Sequence, residues 1–338
     1  MGHELDLSSY NIRTDLLIDE VDTLKEDEIS IKNKEIDDIK INITTVTKDN
    51  KVKKKGTYTT ITFEDITDKD NFNKVQKVLE EELKVLVKAL NLKKDYKTLI
   101  IGLGNRNSTP DSLGVKTCEN IIVTRHLFEL KELSDEYSVV ASFAPNVMGN
   151  TGIEAQDIIK GIIKEINIDL LIVVDALASS NIERVNKTIQ LTDTGISPGS
   201  GVGNSRKELS KNTLNIPVIA IGIPTVVDAV TIVTDTINLL IKKIEYMKNN
   251  NPKEKLKAKD KINYLNEKRK NLNDEEKNNL LGMIGTLTEE ELKELIREVL
   301  MPINYNMMVT PKEIDFLIDK EALLISKSIN NVLHKNKI

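Results

Sequence analysis

Histidine, cysteine and tryptophan are nearly missing from this sequence, with three histidines, one cysteine and no tryptophan in 338 residues. A single cysteine, Cys118, excludes an internal disulfide framework and any cysteine-built zinc cluster. Three histidines exclude most histidine-rich metal sites, and His3 and His334 fall in stretches read as mobile tails, so a histidine mechanism rests on His126 alone. Carboxylates remain as the main acid and base groups. The run of about 18 apolar residues that a membrane span needs is absent. Met1 to Tyr10 carries Glu4 and Asp6 where a secretory signal needs a basic stretch and then an apolar one, which predicts a cytosolic protein without a membrane partner. Basic charge is short as well. With 48 Lys and Arg against 53 Asp and Glu, the net charge is −5, which argues against direct nucleic-acid binding.

What is present alternates in a readable way. The first 25 or so residues lack a helical or strand period and read as an extended arm. From about 31 to 65, segments such as Ile39-Lys40-Ile41-Asn42-Ile43 and Tyr58-Thr59-Thr60-Ile61-Thr62 alternate and are rich in β-branched residues, which predicts a β-rich portion. Asn71 to Leu92 places Val75, Val78, Leu79, Leu83, Leu86 and Leu90 at helical spacing. Short runs apolar on both faces follow: Thr98 to Gly102, Ser138 to Ala141, Leu170 to Val174 and Pro217 to Ile221. Helices are predicted between and after them at Leu113 to Leu130, Gly152 to Ile166 and Thr225 to Met247. The pattern predicts an α/β fold with a doubly wound, mostly parallel sheet flanked by helices. From about 248 to 278 the chain turns to Lys, Asn and Glu with few large aliphatics and reads as a flexible excursion. Two helices close the sequence, one from Thr288 to Leu300 and one capped by Thr310-Pro311 and running to about Leu333.

Ligands of open α/β sheets bind beyond the carboxyl ends of the strands. Two aspartates stand there. Asp111 follows the first run through Gly102-Leu103-Gly104-Asn105, and Asp175 directly ends Leu170 to Val174. On neighbouring strands they face one crevice, where two carboxylates resist ionising together, so that one holds a proton as acid while the other activates water. The competing reading makes each a cap, Asp111 for a helix from Ser112 and Asp175 for a turn. Gly102-x-Gly104 lacks the third glycine of a dinucleotide loop, since position 107 is Asn107. The stretch Gly195 to Asn204 lacks the lysine of a phosphate loop and reads as a tight loop whose Gly199, Ser200, Gly201 and Gly203 could offer backbone donors to an oxyanion or an extended peptide. Cys118 reads as a small apolar filler and His126 as an ordinary helix residue.

Many of these blocks resemble the germination proteases of endospore-forming bacteria. The resemblance lies in Glu4 to Ser8 with Arg13 to Leu16, Gly102 to Asn105 with Thr109-Pro110-Asp111, Thr124 to Leu130, Thr151 to Glu154, Asp175 to Ala178, Ile182 to Asn186, Gly199 to Asn204, Gly222 to Ala229, Gly282 to Leu287 and Met308 to Glu313. It implies an atypical aspartic endopeptidase, homotetrameric and made as a zymogen, that begins the breakdown of small acid-soluble spore proteins in the spore core. It implies cleavage after an acidic residue and before a hydrophobic one. Its two essential aspartates fall on Asp111 and Asp175, and its pro-segment ends at 15, before a single α/β protease domain over 16–338. Asp15-Leu16 is a bond of the implied type, so self-cleavage there is expected and mild acidification is expected to favour it. The blocks are distantly similar to hydrogenase-maturation endopeptidases, which hold a metal with two carboxylates and a histidine. The sequence has no histidine between His126 and His334, so no metal and no cofactor are expected. A metal-dependent maturation peptidase and a non-catalytic α/β binding protein are the alternatives.

Overall fold

The computed structural model describes residues 14–21, 24, 27–49, 54–130, 137–199, 206–249, 272–300 and 307–334. They belong to two compact units, one of Met1–Val227 with Thr310–Ile338 and one of Asp228–Val309. The larger unit begins with three antiparallel strands, β1 (Ile29–Ile36), β2 (Ile39–Val46) and β3 (Gly56–Thr62), in the stretch read as β-rich. Helix α1 (Lys69–Ala89) follows, capped by the Asp68 carboxylate, which accepts the Asn71 N–H at 2.9 Å. Then come β4 (Lys97–Gly102), α2 (Leu113–Glu119), α3 (Arg125–Glu129), β5 (Val139–Phe143), α4 (Met148–Thr151), α5 (Ala155–Ile166), β6 (Leu170–Ser179), β7 (Thr188–Thr192), α6 (Lys211–Leu214) and β8 (Val218–Asp228). The smaller unit holds α7 (Ala229–Asn249), α8 (Asp274–Leu281) and α9 (Glu289–Leu300), and α10 (Ile314–Leu333) returns the chain to the larger one.

The strands lie in the order β1-β2-β3-β7-β8-β6-β4-β5. From β5 to β8 neighbours are parallel, and from β8 to β1 they are antiparallel, so the β-rich portion extends the same sheet and makes it mixed. Side chains alternate between faces along each strand. Ile100, Ile172, Val174, Ile219 and Ile221 face a core shared with α1 and α10, whereas Leu99, Ile101, Leu171 and Val173 face a second core shared with Ile159 of α5 and Leu214 of α6. Helices thus cover both faces of the parallel part, as runs apolar on both sides require.

Three element boundaries differ from those expected. The single helix read from Leu113 to Leu130 is broken at Asn120, because the β-branched run Ile121 to Thr124 finds tertiary partners instead of helical ones. The Thr124 N–H donates to the Val140 carbonyl at 2.9 Å, the Val140 N–H to Thr124 Oγ1 at 3.0 Å, and the Ile122 N–H to Asn330 Oδ1 at 3.0 Å. Strands β6 and β8 run on past Val174 and Ile221, pairing with each other as far as Ser179 and Val227, so Asp175 lies within its strand and the following helix begins at Ala229 rather than Thr225. Most of the expected excursion lies outside the described residues, but its end is helical: Asn273 and Glu276 form a capping box that opens α8. His334, read as part of a tail, is 3% exposed and places Nε2 3.2 Å from the Ile122 carbonyl. No helix among the described residues is long and apolar enough to cross a membrane.

Candidate active site

Asp111 is presented by a loop wound tightly against the end of β4. The Leu103 N–H still bonds the Val174 carbonyl of β6 at 2.8 Å, after which Gly104 takes φ +107. A Cβ at Gly104 would lie 1.9 Å from the Asp111 carbonyl oxygen, so both the backbone angle and the close approach require glycine. The Asn105 N–H donates to that same carbonyl at 2.9 Å, the Asp111 N–H donates to the Ser108 carbonyl at 2.9 Å, and Thr225 of β8 donates its hydroxyl to the Pro110 carbonyl at 2.7 Å. A short 3₁₀ turn, Thr109–Asp111, brings the chain to Ser112, the residue that precedes α2. The cap of α2 is therefore not the Asp111 carboxylate, and burial pushes that carboxyl from its ordinary 3.8 to about 6, with the Asn105 N–H pulling the other way.

Asp175 sits in the middle of β6, opposite Gly222 of β8, and is 6% exposed. Its Oδ1 accepts the Ala176 N–H at 3.0 Å. Burial raises its pKa well above the ordinary carboxylate value, and the nearby charges of Asp111 and then Asp15 raise it further. The Asp111 charge thus reaches Asp175, whose strand β6 pairs directly with β4.

Residues 14–17 meet β6 at Ala178 and then pass to β7, with Leu17 packed against Val46 of β2 and Tyr58 of β3. The Asp15 N–H donates to the Ala178 carbonyl at 3.2 Å, and the Ala178 N–H donates back to the Asp15 carboxylate at 2.9 Å. Gln190 of β7 donates from Nε2 to the Asp15 carbonyl at 3.1 Å and accepts the Leu17 N–H on Oε1 at 2.7 Å. Leu16 is wholly buried, and its N–H donates to Thr14 Oγ1 at 3.1 Å. Farther along, Asp19 accepts from Thr14 Oγ1 at 2.6 Å, Ser179 Oγ at 3.0 Å and the Ser180 N–H at 2.9 Å, and it pairs with Arg184. Leu16 is extended (φ −84, ψ 127), and Asp15 before it is tied to Ala178, three residues along β6 from Asp175.

Other candidates stand apart. Gly199 is described with φ +72, whereas Ser200, Gly201 and Gly203 lie outside the described residues, as do Leu5, Leu7 and Tyr10 of the arm. His126 is exposed on α3. Cys118 is partly buried on α2 with Sγ 3.9 Å from the Ile100 carbonyl, and burial raises its thiol pKa, as suits a filler rather than a nucleophile. Among the described residues no group of three or more His, Cys, Asp or Glu could hold a metal ion. Sequence reasoning passed over Gln190 and Arg184. A lone amide between Ile189 and Leu191 in an apolar strand was the available signal for Gln190, and Arg184 stood inside the Ile182 to Asn186 block without a role.

Comparison with known proteins decides the family. The profile described as Germination protease matches residues 11–337. Germination proteases of Priestia megaterium and Bacillus velezensis are 43% and 46% identical, each alignment covering 99% of this chain and 96% of the relative. That of Bacillus subtilis is 44% identical over 98% of this chain and 96% of its own length. The chain belongs to the germination protease family. It is a protease of spore germination, and the reading as a non-catalytic binding protein is set aside. A solved [NiFe] hydrogenase maturation protease, HycI from Thermococcus kodakarensis KOD1, matches 38% of this chain and 74% of its own at 20% identity and TM-score 0.25.

Proposed function

We propose that Asp111 and Asp175 are the catalytic pair of an aspartic-type endopeptidase, and that the same pair cuts the chain's own Asp15-Leu16 bond to release residues 1–15. The observation that carries the reading is that Asp15 is hydrogen-bonded to Ala178 of β6, three residues beyond buried Asp175, whose pKa the Asp111 and Asp15 charges both raise. Asp175, the more deeply buried of the pair, holds the proton near neutral pH, and Asp111, titrating at about 6, is ionised there. Asp111 takes a proton from the attacking water while Asp175 donates to the carbonyl oxygen. As the tetrahedral intermediate collapses, the C–N bond breaks, Asp111 passes its proton to the leaving amine, and Asp175 recovers one from the intermediate's hydroxyl. No step uses a metal or a cofactor.

An arm lying in the substrate's place explains a zymogen: until it leaves, no other peptide reaches Asp175. Asp15 before Leu16 then serves as a template for substrates cut after Asp or Glu and before a hydrophobic residue. The proteins so cut are small acid-soluble spore proteins in the spore core, which makes contact with DNA indirect. The working form is a homotetramer, checked by sedimentation of the full chain. Digestion of a purified acid-soluble spore protein, read by mass spectrometry, tests the substrate claim. Fragments starting at hydrophobic residues that follow Asp or Glu are expected, and none are expected from Asp111→Asn or Asp175→Asn. Fragments from either variant at the wild-type rate would remove that residue from the mechanism, and loss of all cleavage in EDTA with recovery on adding one divalent metal would favour the metal-dependent alternative.

A further inference from the structure

We infer that Gln190 is a further catalytic residue, the donor that stabilises the carbonyl oxygen as water attacks, an inference that rests on the self-cleavage reading above. Gln190 is 6% exposed, in the middle of β7 between fully buried Ile189 and Leu191. A buried primary amide needs partners for both its ends. It finds them on one stretch of backbone: Nε2 donates to the Asp15 carbonyl and Oε1 accepts the Leu17 N–H, so a single side chain spans the Asp15-Leu16 bond.

Sheet register places Gln190 level with Asp175, two strands away. Gln190 pairs with Gly222, and Gly222 pairs with Asp175, so the three stand in one row across β7, β8 and β6 with Gln190 and Asp175 on the same face. Gly222 bears no side chain of its own, and the space above it is taken by the buried Leu177 side chain, 2.5 Å from where a Cβ would stand. The Gln190 N–H is already aimed at the oxygen on which charge builds as water attacks and Asp175 delivers its proton, and such a preorganised donor strengthens as charge develops. Both contacts are to backbone, so the same grip fits any extended peptide that replaces the arm.

The test follows release of residues 1–15 from the full chain, by mass spectrometry, across pH 5 to 8 in the wild type, Gln190→Glu and Gln190→Met. Gln190→Glu keeps the acceptor for Leu17 and loses the donor. Its rate is expected to fall about 10²–10³-fold at neutral pH, the range for loss of one oxyanion donor, and to recover in part on acidification as the introduced carboxyl gains a proton to donate. Gln190→Met is expected to stay slow at every pH, and circular dichroism checks its folding. If Gln190→Met does not fold, the pH profile of Gln190→Glu decides alone. A wild-type rate in Gln190→Glu at every pH would overturn the role of Gln190 and leave self-cleavage standing. A uniform slowing with the wild-type profile would make Gln190 structural. Absence of a Leu16 terminus from the wild type would overturn both readings.

Discussion

At the scale of the residue, the two aspartates sit where catalysis and stability pull in opposite directions. A carboxyl whose folded pKa is raised favours the fold fully below its unfolded pKa and loses that contribution as pH rises through the folded value. For Asp111, raised from 3.8 to about 6, the contribution is gone above about pH 6. Asp111→Asn keeps the shape without the charge, so the variant is expected to be more stable than the wild type at pH 7.5 by about 1–3 kcal/mol, with the difference vanishing below pH 4. Urea unfolding at both pH values checks this, and activity is expected to fall by several orders of magnitude. Equal stability at pH 7.5 would mean that Asp111 is not strained by burial. Asp111 and Asp175 were singled out in the sequence because a polar residue after an apolar run suggests a strand end, although Asp175 lies in the middle of β6. Gln190 was not, because its meaning comes from the register of three strands, and register is set by pairings between segments far apart in sequence.

At the scale of the element, the loop between β4 and α2 holds Asp111 through one glycine. Gly104→Ala places a methyl group against the Asp111 carbonyl at a backbone angle that disfavours side chains. It is expected to cost about 1–3 kcal/mol of stability and to lower turnover at least tenfold, measured by thermal melting and by digestion of a spore protein. Wild-type turnover in a folded variant would show that the loop does not need to hold Asp111 in place. A second element prediction concerns α10, where Glu321 is buried and accepts the Asn186 Nδ2–H at 2.8 Å. Burial pushes its carboxyl up to about 8, so its contribution to stability is full below 4.5 and lost as pH rises through about 8. Glu321→Gln, neutral throughout, is expected to melt roughly 5 °C or more above the wild type at pH 9 and close to it at pH 4.5. A constant difference across that range would place the effect in packing instead of charge. The strand and helix types were readable from period, since buried parallel strands are apolar on both faces and α1 carries a single apolar stripe. The lengths of β6 and β8 and the break after α2 were not, because they depend on where the backbone finds a partner: Gly222 for Asp175, Val140 for Thr124.

At the scale of the whole molecule, a pair that works only when singly protonated gives a bell-shaped dependence of rate on pH. The acid limb is expected near pH 6, where Asp111 titrates, and the alkaline limb above it, set by the more strongly raised Asp175. Release of the arm is therefore expected to quicken as pH is lowered through the Asp175 limb and to slow as it falls through about 6, read as the rate of mass loss in single-turnover conditions; a rate that keeps rising to pH 4 would exclude ionised Asp111 as the base. The resemblance to a family was legible almost from end to end, and the match over residues 11–337 agrees with it. The docking of residues 14–17 onto β6 and β7 was not legible, because an arm without a helical or strand period carries no signal of where it docks. The central claim is that Asp175 and Asp111 cut the bond lying beside them. N-terminal sequencing of the purified full chain after incubation at pH 6, next to Asp175→Asn treated alike, tests it most directly. A new terminus at Leu16 in the wild type and its absence from Asp175→Asn are predicted; the same terminus in both, or in neither, would contradict the claim.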